Sequence, residues 1–311
     1  MRKSFINKTV CSENCRKYLT VLFIVFSALC VLLMTQRDAA ATEAGGGAYP
    51  NGAECFMAGA VPPPGTYFLN YFTYYTADKF KIEDGPDPDF DLNVVANTFR
   101  LIHVTKHQVL GGFWGMHVFV PLVYMDVDMM GASDDKFSIG DIIVDPFILS
   151  WHSKNWHLAT GVDIYIPTGD FNKHDLANVG RNYWTFEPIF AFTYVSDGGF
   201  EVSSKFMYDF NTENDDTDYK SGQEFHFDYL VGYKFDSWGI GLSGYYYKQI
   251  TDDEINGHEV PGGFKGQVFA IGPSIKYDYK NMTFNIKYQK EMSVENKPEG
   301  DKFWLKFVYA F

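Results

Sequence analysis

The sequence predicts an all-β protein: a transmembrane antiparallel β-barrel of about 12 strands, preceded by a short N-terminal Gly/Pro-rich periplasmic segment. Three observations predict it. The last ten residues place Phe303, Leu305, Phe307, Tyr309 and Phe311 on one strand face and Lys302, Lys306 and Ala310 on the other, because side chains alternate with period two. Segments of this kind recur along the chain, and the connections between them alternate between short and long. In lipid every backbone polar group needs a partner, so strands persist there only in a closed barrel with an apolar exterior.

The chain opens as a secretory leader. Arg2, Lys3, Lys8, Arg16 and Lys17 form a basic start, Leu19 to Met34 is nearly all apolar, and Ala39-Ala40-Ala41 offers a small-residue cleavage site, the layout of a signal peptide over 1–41. This stretch of sixteen residues falls short of the roughly 20 apolar residues that a spanning helix needs. Of 311 residues carrying a net charge of -13, removal of 1–41 leaves 20 basic against 37 acidic side chains, a charge of -17. Such acidity argues against nucleic acid as a partner. Cys11, Cys15 and Cys30 leave with the leader, so Cys55 stands alone and an intrachain disulfide is excluded in the mature chain.

Residues 42–65 form the Gly/Pro-rich segment. Consecutive prolines at Pro62-Pro63-Pro64 cannot donate to a ladder, so the barrel is expected over 66–311. Its twelve strands are expected near 66–78, 91–106, 113–125, 139–151, 155–166, 183–196, 199–211, 223–236, 238–250, 266–279, 282–292 and 302–311. After even-numbered strands the turns are short, as at Ser153-Lys154, Asp197-Gly198, Asp236-Ser237 and Lys280-Asn281, with 107–112 the longer exception. After odd-numbered strands come polar loops near 79–90, 126–138, 167–182, 212–222, 251–265 and 293–301. Outer-membrane barrels pair short periplasmic turns with long external loops. Aromatics beside the short turns, among them Trp114, Trp151, Trp156, Phe200, Trp238 and Tyr279, fit a girdle at headgroup level.

Several strands declare their faces. Phe225, Phe227, Tyr229, Val231, Tyr233 and Phe235 should meet lipid, turning Glu224, His226, Asp228 and Lys234 inward. Met282, Phe284, Ile286 and Tyr288 do the same opposite Thr283, Asn285, Lys287 and Gln289. On this reading the lumen and pore candidates are Asp145, Asp163 and Glu187 from strands four to six, and Lys276, Lys287 and Lys306 from strands ten to twelve. On opposite walls they would set a transverse field across a pore; the alternative is that they pair with nearer neighbours such as Arg100, Lys205 and Asp228, since buried charges are usually compensated.

The external loops hold acidic clusters, such as Glu83, Asp84, Asp87 and Asp89, or Asp252, Asp253, Glu254 and Glu259. None has an ordered metal-ligand spacing, so they read as solvated faces and no metal or cofactor is expected. An enzyme is not expected either. His152-Ser153 sits in a turn where adjacent residues point apart, and His103 and His107 along a strand lie about 13 Å from each other.

The opening of the mature chain resembles a known family. Tyr49-Pro50-Asn51-Gly52-Ala53-Glu54, Phe56-Met57-Ala58-Gly59-Ala60 and Pro62-Pro63-Pro64-Gly65-Thr66-Tyr67 are similar to the start of outer-membrane proteins grouped with the phenol meta-pathway degradation protein, including a sphingosine-associated branch. Ile164-Tyr165-Ile166-Pro167-Thr168-Gly169-Asp170 and Ile271-Gly272-Pro273 fit its later motifs, and the resemblance covers about 43–311. It implies an outer-membrane channel or transporter, with some members associated with aromatic or lipid-like compounds, and it brings no catalytic residues. The expected partners are outer-membrane lipids, a small hydrophobic or amphiphilic solute, and the barrel assembly machinery through the C-terminal Phe311. Segment 42–65 is long enough to enter the lumen, with Phe56 and Met57 as plug candidates touching its wall and gating the pore. A surface-interaction barrel with a closed lumen is the other reading.

Overall fold

The computed structural model describes residues 43–82, 85–260 and 265–311. Residues 1–42, which include the expected leader 1–41 with Cys11, Cys15 and Cys30, and the loop acids Glu83 and Asp84 lie outside the described residues. Twelve strands close into a ring: β1 (Gly65–Phe80), β2 (Phe90–Val109), β3 (Gly112–Met129), β4 (Ile142–His152), β5 (Trp156–Ile166), β6 (Thr185–Val195), β7 (Phe200–Asn211), β8 (Glu224–Phe235), β9 (Trp238–Gln249), β10 (Gln267–Tyr279), β11 (Met282–Glu295) and β12 (Pro298–Ala310). Each pairs antiparallel with its sequence neighbours, and β1 pairs with β12 from Tyr67↔Ala310 to Phe80↔Pro298, which leaves the ring no free edge.

Alternation sets the two faces. On β8 Val231 is 48% exposed while Leu230 is 0%, and on β11 Ile286 is 48% exposed beside Lys287 at 2%. Apolar side chains therefore cover the outside while the buried charges lie inside among apolar ones, the reverse of a soluble barrel and the pattern of a membrane-spanning one. Exposed outer aromatics include Trp156, Phe200, Phe235, Trp238 and Tyr279, all beside short turns.

Two connections differ from their expected form. The long 107–112 turn is a two-residue one: β2 runs on to Val109, and Leu110 and Gly111 both take left-handed φ, 50° and 77°, as a tight hairpin of this kind requires. The expected loop 126–138 is a hairpin extension of the wall. β3 continues to Met129, turns through Met130 and Gly131 at φ 53° and 85°, and returns as Ala132–Ile139 paired along β3. Its acids Asp126, Asp128, Asp134 and Asp135 made it read as a loop, but the hairpin extends the barrel rim, where polar side chains suit both faces. The chain then breaks at Gly140 and Asp141 before β4. Gly169 and Gly180 of the Pro167–Trp184 loop pack so closely that a Cβ on Gly169 would stand 2.6 Å from the Gly180 Cα. Asp141 locks this junction by accepting the Gly169 and Arg181 amides at 2.9 and 2.8 Å. A small four-stranded sheet, Glu213–Asn214, Tyr219–Lys220, Glu254–Ile255 and His258–Glu259, joins two more loops at the same end.

Candidate functional site

The lumen is occupied by the chain's own N-terminal segment, which runs the full height of the barrel before entering β1. At the loop end the Glu43 carboxylate accepts Asn214 Nδ2 and Thr217 Oγ1, each at 2.9 Å. Toward the turn end the Met57 amide donates to Glu201 Oε1 at 2.6 Å and the Gly59 amide to Thr193 Oγ1 at 3.0 Å. Gly59 lies against the wall so tightly that a Cβ there would meet the Phe192 backbone at 2.4 Å. Phe56 is buried with Cys55 and Leu230, in space left by Gly232 and Gly239. The six lumen candidates, from Asp145 to Lys306, are all buried.

Between these ends two inward charges grip the segment. Asp228 accepts three donors from it, Tyr49 Oη at 2.7 Å and the Gly52 and Glu54 amides at 2.7 and 2.8 Å. Lys287 donates to the carbonyls of Gly52, Ala53 and Glu54. A segment with no ladder partner thus has its backbone groups satisfied by wall side chains, as burial demands.

The two walls of charge do not face one another across open space, so the transverse-field expectation is replaced by local pairing. The Glu54 carboxylate meets adjacent strands β12, β1 and β2, accepting Lys306 Nζ, the Arg100 guanidinium at 3.4 Å and the Tyr71 hydroxyl at 2.9 Å. Arg100 Nη2 stands 2.8 Å from His117 Nδ1, and His117 Nε2 stands 2.8 Å from Asp163 Oδ1. Because a guanidinium only donates, Nδ1 accepts and Nε2 donates to Asp163. Lys205 then bridges Asp163 and Glu187 at 3.1 and 3.2 Å, and Lys276 pairs with Asp278 at 3.0 Å. Asp145 lies at a bulge beside Pro146, its Oδ1 accepting the Phe147 amide at 2.7 Å, with space for its other oxygen kept by Gly161.

Alongside the segment, on the β1–β6 side, remains a cavity of about 290 Å³. Its lining is mainly apolar, including Phe119, Met125, Ile143, Ile148 and Trp304, interrupted at mid-height by Arg100, His117, Asp163 and Lys205. At the loop end Asp253 accepts Tyr219 Oη and the Gly222 amide, the latter at 2.6 Å. Burial pushes its carboxyl up to about 8, against those hydrogen bonds, which pull it down.

Sequence reasoning missed Glu54 as the partner of Lys306 and Arg100, His117 as the centre of the β2–β5 network, and Asp209 beside His226. His117 was hidden because the aromatics of β3 fall on both faces. Glu54 carried a signal, being the only acidic residue of 45–60.

Fold and site together define a twelve-stranded, outer-membrane-type β-barrel whose lumen holds its own N-terminal segment. The chain belongs to the Phenol_MetA_deg family, named for the MetA pathway of phenol degradation, whose pattern it matches over residues 72–307. No curated protein sequence matches it. Among solved structures, an outer-membrane channel from Pseudomonas putida F1 is similar with a TM-score of 0.71 at 18% identity, covering 82% of this chain and 98% of that one. The translocator domain of the autotransporter NalP from Neisseria meningitidis is similar more loosely, with a TM-score of 0.49 at 8% identity over 81% of this chain and 91% of that one.

Proposed function

We propose that this protein is a passive outer-membrane channel for small hydrophobic or amphiphilic compounds of aromatic or lipid-like character, its short turns toward the periplasm and its long loops outside. The observation that carries this reading is the mainly apolar cavity beside the N-terminal segment, inside a barrel that carries many buried charges at its other inward positions. An apolar lining with a few polar groups at mid-height suits solutes of that kind. The shared fold with the Pseudomonas putida channel supports it. The segment gates passage: a solute wider than the cavity passes only when 45–60 shifts from the wall. Outer-membrane lipids meet the aromatic exterior, and Phe311, 78% exposed at the turn end, is offered to the assembly machinery.

Catalysis is not part of this proposal. His152 Nδ1 lies 3.1 Å from His157 Nδ1, and Ser153 Oγ is engaged with Trp156 O, so this turn lacks a nucleophile activated by a base. Liposome swelling with small aromatic solutes tests the channel. Swelling faster than in protein-free liposomes is expected, and none would leave the second reading, a closed surface barrel. That second reading is favoured by the segment's engagement of the barrel wall at Asp228 of β8, Lys287 of β11 and, through Glu54, Arg100 of β2.

A further inference from the structure

We infer a divalent metal site in the barrel wall beneath the N-terminal segment, formed by Glu187 of β6, Asp209 of β7 and His226 of β8. The sheet brings the three together. Glu187 lies between the pairs Thr185↔Asn211 and Ile189↔Met207, which sets it across from Asp209, while His226 pairs with Met207 one strand further. One ligand atom from each lies within 4.8 Å of the others. His226 Nε2 stands 3.2 Å from Asp209 Oδ2 and 3.7 Å from Glu187 Oε2. Two ligands bound at about 2.1 Å to one tetrahedral ion stand about 3.4 Å apart, so these separations suit a shared cation.

The second observation is what His226 and Asp209 lack outside the group. All are 0% exposed, yet neither ring nitrogen of His226 has a partner in hydrogen-bond geometry among the described residues, and Asp209 is engaged within the group itself, by Glu187 and by His226 at 3.2 Å. Buried polar atoms are nearly always satisfied, and two carboxylates this close repel unless a positive charge or a proton lies between them. The neighbouring group of His117, Asp145 and Asp163 is as compact but differs in its histidine: both nitrogens of His117 and both oxygens of Asp163 are engaged by Arg100, Lys205 and one another, which leaves only Asp145 Oδ2 without a partner. It is an ion-pair network, whereas the β6–β8 group is a set of ligands.

The surroundings fit. Glu187 accepts Lys205 Nζ on Oε1 and the Tyr165 hydroxyl on Oε2, at 3.2 and 3.0 Å, which orients it as an outer shell orients a metal ligand. Lys205 is shared with Asp163, so it does not by itself balance both Glu187 and Asp209. One imidazole with two carboxylates selects a transition ion of the zinc type over calcium or magnesium, which prefer six or more oxygens. The Tyr49 ring of the segment lies 5.2 Å from the His226 ring and covers the site. Metal loading therefore steadies the wall on which the segment rests.

Chelator-stripped, detergent-purified protein loaded with ZnCl₂ and passed through gel filtration tests the site by its metal content, with Co²⁺ absorption as the coordination signature. The wild type is expected to retain zinc. His226→Gln and Asp209→Asn are each expected to bind at least ten-fold more weakly and to lose the Co²⁺ ligand-field band. His152→Gln, which disrupts the exposed histidine pair at the turn end, is expected to bind as the wild type does. Wild-type protein that retains no metal, variants at 226 and 209 that retain it fully, or loss only in His152→Gln would each overturn the assignment. Should one variant fail to fold, the other decides, and a wild-type melting temperature unmoved by zinc and chelator counts against the site.

Discussion

Replacing Glu54 with Gln isolates the contact that ties the N-terminal segment to the β12–β1–β2 side of the lumen. The carboxylate is reached by the Lys306 ammonium and by the Arg100 guanidinium, with side-chain exposures of 13%, 9% and 15% for Glu54, Lys306 and Arg100. Removing one partner of a buried ion pair costs about 3–5 kcal/mol, because the remaining charge is left uncompensated. Gln keeps an acceptor for Tyr71 or Arg100, so the lower end, about 3 kcal/mol, is the appropriate figure. Since 1.4 kcal/mol is a factor of ten, the equilibrium between docked and released segment shifts by about two orders of magnitude. The barrel strands make no use of Glu54 in their ladders, so its loss should loosen the segment without unfolding the barrel. Single-channel recording in planar bilayers reads this as more frequent opening. In the Lys306→Gln background the same substitution should cost less, because one of the stranded cations is gone. Wild-type opening frequency in Glu54→Gln, or an effect indifferent to Lys306, would refute the reasoning.

Other outcomes follow from the same contacts. Gly59→Ala places a Cβ against the Phe192 backbone and should weaken docking of the segment's turn end by about 1–3 kcal/mol, read as faster hydrogen exchange at 57–60 with the strand amides unchanged. Cys55, 1% exposed, should react slowly with thiol reagents in folded protein and faster in Glu54→Gln; equal rates would contradict its burial by docking. Asp253, with a carboxyl raised by burial to about 8 from a usual 3.8, binds a proton more tightly folded than unfolded. Its contribution to loop-end stability is therefore full below about 4 and lost as pH rises to about 8. Limited proteolysis of 212–260 should accelerate across that window, after correction for protease activity, and Asp253→Asn should flatten the dependence.

How much was legible in the sequence depended on where chemistry enforces alternation. On β8 and β11 lipid on one side and polar partners on the other leave a strict period of two, and the faces of Phe225–Phe235 and Met282–Gln289 could be read directly. Above the membrane that pressure disappears, so the hairpin Ala132–Ile139, with acids along both its strands, looked like a loop. The N-terminal segment was harder still. It docks through the backbone amides of Gly52, Met57 and Gly59 and through carbonyls that meet Lys287, and backbone contacts leave no side-chain pattern. The lumen charges were found by their faces, but their pairing across strands depended on Glu54, Arg100 and Lys205, whose reach follows from three-dimensional register.

The most direct test of the account is the conductance of the protein lacking residues 45–60, compared with wild type in the same bilayers. If the segment fills the lumen and controls passage, the deletion leaves an intact barrel with a larger unitary conductance and faster flux of aromatic solutes. An intact barrel with unchanged conductance would show that the segment does not limit the pore.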